Sequence, residues 1–226
     1  MRIKSILSSN RIYFFAVGLF LLLGLILLAS IEQGAAIRFF SERRSPAGDW
    51  FFRYFTQMGE EPIYLLALLG LLFVRFRYAL LVPLIGVLVT LVSYLTKQLF
   101  AHDRPSVYFS KLGELEDLQL VEGVHLLTGP TSFPSGHTMS AFAIYGFLAL
   151  LAKRKRWTAP LCFLAALLVG ISRIYLVQHF LKDVVLGAAI GTLLALLVYY
   201  LQGKIPHRPQ RFWDRSLLSL RPIATP

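Results

Sequence analysis

Long apolar stretches alternate with short polar ones along the whole chain. The first apolar run is Ile12 to Ile31, the third Tyr78 to Phe100, the fifth Trp157 to about Val177 and the sixth Leu181 to Leu201. The second, Phe55 to Val74, is polar at its start, where Glu60, Glu61 and Pro62 interrupt it. The fourth, His137 to Ala152, is short and can extend upstream. A helix crosses a bilayer with roughly 20 apolar residues, so all six are long enough or nearly so. The pattern predicts an all-α, polytopic bundle of about six transmembrane helices. A cleaved signal peptide is disfavoured for the first run, because its apolar stretch is long and no convincing small-residue cleavage pattern follows. Residues 1–203 read as one transmembrane domain and 204–226 as a loose basic tail lying on the membrane. No repeat or low-complexity tract is present.

Composition agrees. The 226 residues are 56% hydrophobic and 15% charged, where about 45–50% apolar is usual in soluble domains. The single cysteine, Cys162, permits no intrachain disulfide and leaves the redox compartment open.

Charge gives an orientation. With both termini cytoplasmic, the inner segments hold Arg2, Lys4, Arg11, Arg75, Arg77, the KRKR of 153–156, Lys204, Arg208, Arg211, Arg215 and Arg221. These are 14 of the 23 basic residues, and Asp214 is the only acid among them. This is the positive-inside pattern of a cell (inner or cytoplasmic) membrane protein. It accounts for the net charge of +11 through anionic lipid headgroups and makes a nucleic-acid partner unnecessary. Membrane lipids are the implied partners, and no obligate protein partner is evident.

Three polar clusters then fall at one membrane face, the periplasmic or exterior one. KQLFAHDRP carries Lys97 and Arg104, seven residues apart and so on roughly one helix face while the helix lasts. Pro105 biases Arg104 away from helix, which should end there. TSFPSGHTMS carries Pro134, Ser135, Gly136 and His137. SRIYLVQHFLKD carries Arg173, His179 and Asp183. Singly, each has an ordinary explanation: Lys97 and Arg104 as snorkelling residues, Ser135 as an N-cap, His179 and Asp183 as an i,i+4 surface pair. Arg173 resists one, since it closes an apolar helix with no acid near it in sequence. Converging cations and histidines call for an anion.

Phosphate fits. Lys97, Arg104 and Arg173 offer charge and N–H donors to phosphoryl oxygens. Ser135 caps the fourth helix, Gly136 permits close backbone approach, and the free amides there point at the same anion. Asp183, one turn from His179, can hold one ring nitrogen as N–H and leave the other's lone pair for phosphorus. His137 is placed to protonate a leaving oxygen. The cations can neutralise developing charge, so no metal or other cofactor is expected.

Together the clusters resemble the tripartite motif of the type 2 phosphatidic acid phosphatases, whose active site is shared with the vanadium haloperoxidases. The family pattern K-x6-RP, PSGH, SR-x5-H-x3-D reads here as Lys97 to Arg104-Pro105, then Pro134 to His137, then Ser172-Arg173 to His179 to Asp183. DWFFRYFTQMGEE, before the second span, looks like the membrane branch's weaker upstream pattern. The resemblance implies His179 as nucleophile, Asp183 as its orienting partner and His137 as general acid. It assigns Lys97, Arg104, Ser135, Gly136 and Arg173 to phosphate binding. The implied activity is metal-independent hydrolysis of a lipid phosphomonoester or diphosphate through a phosphohistidine. Phosphatidylglycerol phosphate, phosphatidic acid, isoprenyl diphosphates and lipid A phosphates all fit. Alternatives are a lipid phosphotransferase using the same histidine, a non-enzymatic lipid-binding or transport protein, and a haloperoxidase, which six spans argue against.

Two further features stand at the outer face. Residues 106–133 form the longest outer loop, with Glu114, Glu116, Asp117 and Glu122 able to tune headgroup choice or merely solvated. Arg38, Arg43, Arg44 and Arg53, set among aromatics, run against the charge trend. They either snorkel to lipid phosphates or hold a second phosphate of the substrate.

Overall fold

A computed structural model describes residues 2–208 and 210–220, and all of its regular structure is helical. In chain order the α-helices are α1 (Ile3–Ser9), α2 (Arg11–Ser30), α3 (Ala35–Glu42), α4 (Pro46–Phe55), α5 (Glu61–Leu72), α6 (Phe76–Phe100), α7 (Pro105–Leu112), α8 (Gly136–Leu151), α9 (Lys155–Tyr175) and α10 (Leu181–Gly203). Among the described residues four stretches are long and apolar enough to cross a membrane: Arg11–Ser30, Phe76–Leu112, Lys155–Tyr175 and Leu181–Gly203. Two shorter apolar helices are α5 and α8. The fourth apolar run does not extend upstream, because Ser135 caps α8 with its side chain.

α8 is the axis of the bundle. Met139, Phe142, Ile144 and Phe147 are fully buried, with α9 and α10 against them. Two small residues on α10 permit the approach. A Cβ on Gly187 would stand 2.7 Å from the Ser135 carbonyl oxygen, and one on Gly191 would collide with that of Met139. Small residues let apolar helices meet backbone to backbone. Outward, α2 exposes Leu22, Leu23, Leu25 and Ile26, and α6 exposes Leu80, Val87, Leu91 and Leu95. So broad an apolar surface is foreign to a water-soluble monomer.

Three expectations change. Lys97 and Arg104 do not share a helix face: α6 ends at Phe100 and Arg104 is the extended N-cap of α7. Residues 106–133 are not all loop, since α7 occupies their start. The tail is not loose over its described part. Arg77 pairs with the buried Asp214 at 2.7 Å, Phe76 N–H donates to the Arg215 carbonyl, and the Phe76 and Phe212 rings stack. A buried carboxylate needs such partners, and Arg77 supplies them. The tail's last residues, Arg221 among them, lie outside the described residues.

Candidate active site

The three polar clusters meet where α6, α8, α9 and α10 present their ends to one another. The α8–α10 contact does most of the positioning. Ser135 N–H donates to the Asp183 carbonyl at 3.0 Å, so the α8 cap and the first turn of α10 are directly joined.

His179 sits in the short link between α9 and α10 and is 2% exposed. Its Nδ1 lies 3.2 Å from Asp183 Oδ2 and its Nε2 lies 3.1 Å from an Arg104 NH1. A guanidinium only donates, so Nε2 accepts and Nδ1 carries the proton to Asp183. This tautomer leaves a lone pair on Nε2. Burial pushes the ring's pKa down to about 3; Arg104 and Arg173 push the same way, and the Asp183 hydrogen bond opposes them.

Asp183 is fully buried. Its Oδ2 also accepts from Ser132 Oγ at 2.5 Å and from the Phe180 N–H at 3.0 Å. Several donors converging on one carboxylate hold its position.

Arg104 is fixed by the Gln178 carbonyl at 3.0 Å and by Thr131 Oγ1 at 3.3 Å from its Nε. Arg173 is 5% exposed, donates from NH1 to Thr56 Oγ1 at 2.7 Å, and has a buried Nε without a hydrogen-bond partner. A buried guanidinium N–H left unpaired is costly and suits an anion. Lys97 lines the same cavity as Gly136 and His137, and a Cβ on Gly136 would stand 3.8 Å from its Nζ. Ser135 Oγ accepts from Thr138 Oγ1 at 2.9 Å. All eight residues singled out in the sequence thus belong to one constellation. Among the described residues no group of three or more His, Cys, Asp or Glu side chains could hold a metal ion.

Other groups were missed. Glu60 bonds through Oε1 to His137 Nε2, and that hydrogen bond, its largest influence, holds the Glu60 carboxyl below the usual range. Thr56 holds Arg173, Thr131 holds Arg104 and Ser132 holds Asp183. The only sequence signal for Thr56 and Glu60 was the upstream pattern DWFFRYFTQMGEE, which contains both.

Of Arg38, Arg43, Arg44 and Arg53, three are engaged with the 113–124 segment. Arg38 pairs with Glu114 at 2.6 Å. Arg44 pairs with Asp49 at 3.1 Å and donates to the Gln119 and Tyr175 carbonyls. Arg53 donates to the Glu122 carbonyl at 2.9 Å. Arg43 reaches only its neighbour Glu42, the Phe39 carbonyl and the Phe39 ring.

A cavity of about 540 Å³ leads away from the site between α5 and α6. Tyr64, Gly86, Val89 and Tyr94 line its far part, and Lys97 and His137 its near end. One charged end and a largely apolar body match an amphiphile.

The chain is similar to known proteins in sequence and in fold. The PAP2 superfamily profile matches residues 62–206, a stretch holding all three polar clusters. The chain is 40% identical over 88 residues to phosphatidylglycerophosphatase B of Bacillus subtilis, covering 35% of this chain and 43% of that one. It is 27% identical over 177 residues to a lipid A 4'-phosphatase of Bacteroides thetaiotaomicron, covering 76% and 77%. The crystal structure of a transmembrane PAP2 type phosphatidylglycerolphosphate phosphatase from Bacillus subtilis superposes with a TM-score of 0.62 at 27% identity, over 85% of this chain and 98% of that one. The chain thus spans less than half of that phosphatidylglycerophosphatase B, and three further relatives are matched over only 19% to 35% of their length. The apolar helices and the transmembrane neighbour together indicate a membrane protein.

Proposed function

This chain belongs to the PAP2 superfamily, and from that premise we propose that it is a metal-independent lipid phosphatase acting through a phosphohistidine. His179 Nε2 attacks phosphorus, the bond from phosphorus to the lipid oxygen breaks, and His137 gives that oxygen its proton. Water then attacks the phosphohistidine, His137 takes the water's proton, the P–N bond breaks and inorganic phosphate leaves. Lys97, Arg104 and Arg173 hold the phosphoryl oxygens, aided by amides at the N-terminus of α8. Asp183 holds the tautomer and stabilises the imidazolium character that develops.

The observation that carries this reading is the buried His179, whose Nε2 lone pair faces Arg104 while Nδ1–H faces Asp183. An ordinary structural histidine has no need of a cation at its free nitrogen. The substrate class is a membrane lipid bearing a phosphomonoester or diphosphate, consistent with the amphiphile-shaped cavity and with the relatives' names.

In this reading α2, α5, α6, α8, α9 and α10 are the six spans. Both termini are cytoplasmic, the site faces the exterior or periplasm, residues 1–203 are one domain and 204–226 a basic tail. The basic residues at the opposite end of the helices support the orientation. The test is release of inorganic phosphate from a panel of purified lipid phosphates and diphosphates in detergent, with EDTA present. Release from at least one lipid, blocked by vanadate, is expected; silence on the whole panel rejects the reading.

A further inference from the structure

Glu60 forgoes the usual task of its position. It is the N-cap of α5, yet its side chain makes no capping hydrogen bond; its carboxylate turns instead to His137 Nε2. Side-chain oxygens at this position normally accept from the first helical amides, so a carboxylate directed elsewhere needs another reason.

The turn before it is built against the site at two points. Thr56, its first residue, is held by Arg173 through the 2.7 Å hydrogen bond. Gly59, its last, lies so close to α8 that an added Cβ would stand 3.0 Å from the His137 carbonyl oxygen and 2.6 Å from Val169 Cγ1. The backbone carrying Glu60 is therefore pressed onto the backbone carrying His137, with no room for a side chain between them. The pair lines the wall of the cavity, where Glu60, Glu61, Lys97 and His137 all stand.

The charges facing His137 differ in sign. Lys97 from α6 and Arg173 from α9 are the cations facing His137, and the Glu60 carboxylate is the anion that touches it. A group that must give a proton to an alkyl leaving oxygen, beside a cradle built of cations, needs an anion to keep that proton. We propose that Glu60 is the positioning residue of the general acid: it orients His137 and keeps it protonated for lipid-alkoxide departure. This rests on the phosphatase reading above and adds to its three catalytic residues, His137, His179 and Asp183, a fourth group outside the three polar clusters. It also assigns a demand to the substrate. A lipid whose leaving group is a poor one, an alkyl alcohol, depends on Glu60, whereas an ester with an acidic leaving group does not.

Glu60→Gln keeps the shape and removes the charge; Glu60→Asp keeps the charge. The alkaline limb of the kcat/KM profile on a lipid phosphate should move down by about 1 pH unit in Glu60→Gln, a loss of about tenfold above that limb. Glu60→Asp should lie closer to wild type. Hydrolysis of p-nitrophenyl phosphate, whose leaving group needs no proton, should be far less affected. In parallel, ¹⁵N-histidine NMR follows His137 in the same proteins without turnover, assigned against His137→Asn. Its titration midpoint should fall in Glu60→Gln. An unchanged midpoint and an unchanged alkaline limb, in a wild type that releases phosphate, overturn the role of Glu60 alone. A uniform loss on both substrates with no change in pH profile also overturns it. A wild type silent on every lipid phosphate overturns the phosphatase reading and the catalytic role with it.

Discussion

An Arg104 guanidinium nitrogen lies 3.1 Å from His179 Nε2 and donates to it, occupying the lone pair that would meet phosphorus. The candidate nucleophile is thus paired with a residue expected to hold the phosphate. An incoming phosphoryl group would draw Arg104 onto its own oxygens and release Nε2. Removing His179 should abolish turnover while leaving the fold, because no other imidazole stands beside Asp183. We expect His179→Ala to lose at least a thousandfold in kcat with helical content unchanged by circular dichroism. Activity within tenfold of wild type would reject His179 as nucleophile.

Arg104→Ala removes a phosphate donor and also the group that fills Nε2. Hydrogen bonds to charged groups contribute about 1.5–3 kcal/mol each, so kcat/KM should fall roughly ten- to a hundredfold or more. Arg104→Lys keeps the charge but loses the fork that also reaches Gln178 and Thr131, and should recover only part of it. Steady-state assays on one lipid phosphate decide this.

The buried, neutral His179 makes stability pH-dependent. Its folded pKa is depressed to about 3 from an ordinary 6.5, so the unfolded chain binds a proton first as pH falls. Its contribution is fully present above about pH 6.5 and is lost between there and 3. The slope should approach about 1.4 kcal/mol per pH unit for one proton. Melting temperatures in detergent should fall from pH 7 to pH 5, and His179→Asn should flatten that fall. An equally steep fall in the variant would contradict it.

Gly191 lets α10 touch the backbone of α8. Gly191→Val should force the helices apart, costing about 1–3 kcal/mol as overpacking does and displacing Asp183 from Ser135. A melting temperature lowered by several degrees, with kcat falling more than KM rises, is the expected outcome.

The outer arginines separate by what they hold. Arg44 ties Asp49, Gln119 and Tyr175 together, whereas Arg43 reaches only its own helix. Arg44→Ala should loosen the 113–124 segment, seen as faster proteolytic nicking there, and Arg43→Ala should not. A selective loss of activity on doubly phosphorylated lipids in Arg43→Ala would instead assign that residue to a second phosphate.

Much of this was legible because it is local. The apolar runs foretold α2, α6, α9 and α10 to within a few residues, since each helix presents a continuous apolar surface. His179 and Asp183, four residues apart, announce their pairing on their own. What stayed hidden depends on chain reversals. Arg38 meets Glu114 across 76 residues and Arg77 meets Asp214 across 137, and no periodicity signals either. Glu60 reads as an interruption of an apolar run and as one residue of the upstream pattern, with no role of its own, because its partner His137 lies on a distant helix. The sequence puts Arg104 on the helix face of Lys97 because its stop signal is Pro105, whereas the chain breaks earlier, at Ala101, with a left-handed φ of 45°.

The most direct measurement is of the covalent step. Wild-type protein mixed with a ³²P-labelled lipid phosphate, quenched in alkali within milliseconds and digested, should yield an acid-labile, alkali-stable phosphoryl group on the peptide carrying His179. It should be absent in His179→Ala. Phosphate release without any phosphoryl group on His179, or with one on another residue, would contradict the proposed mechanism.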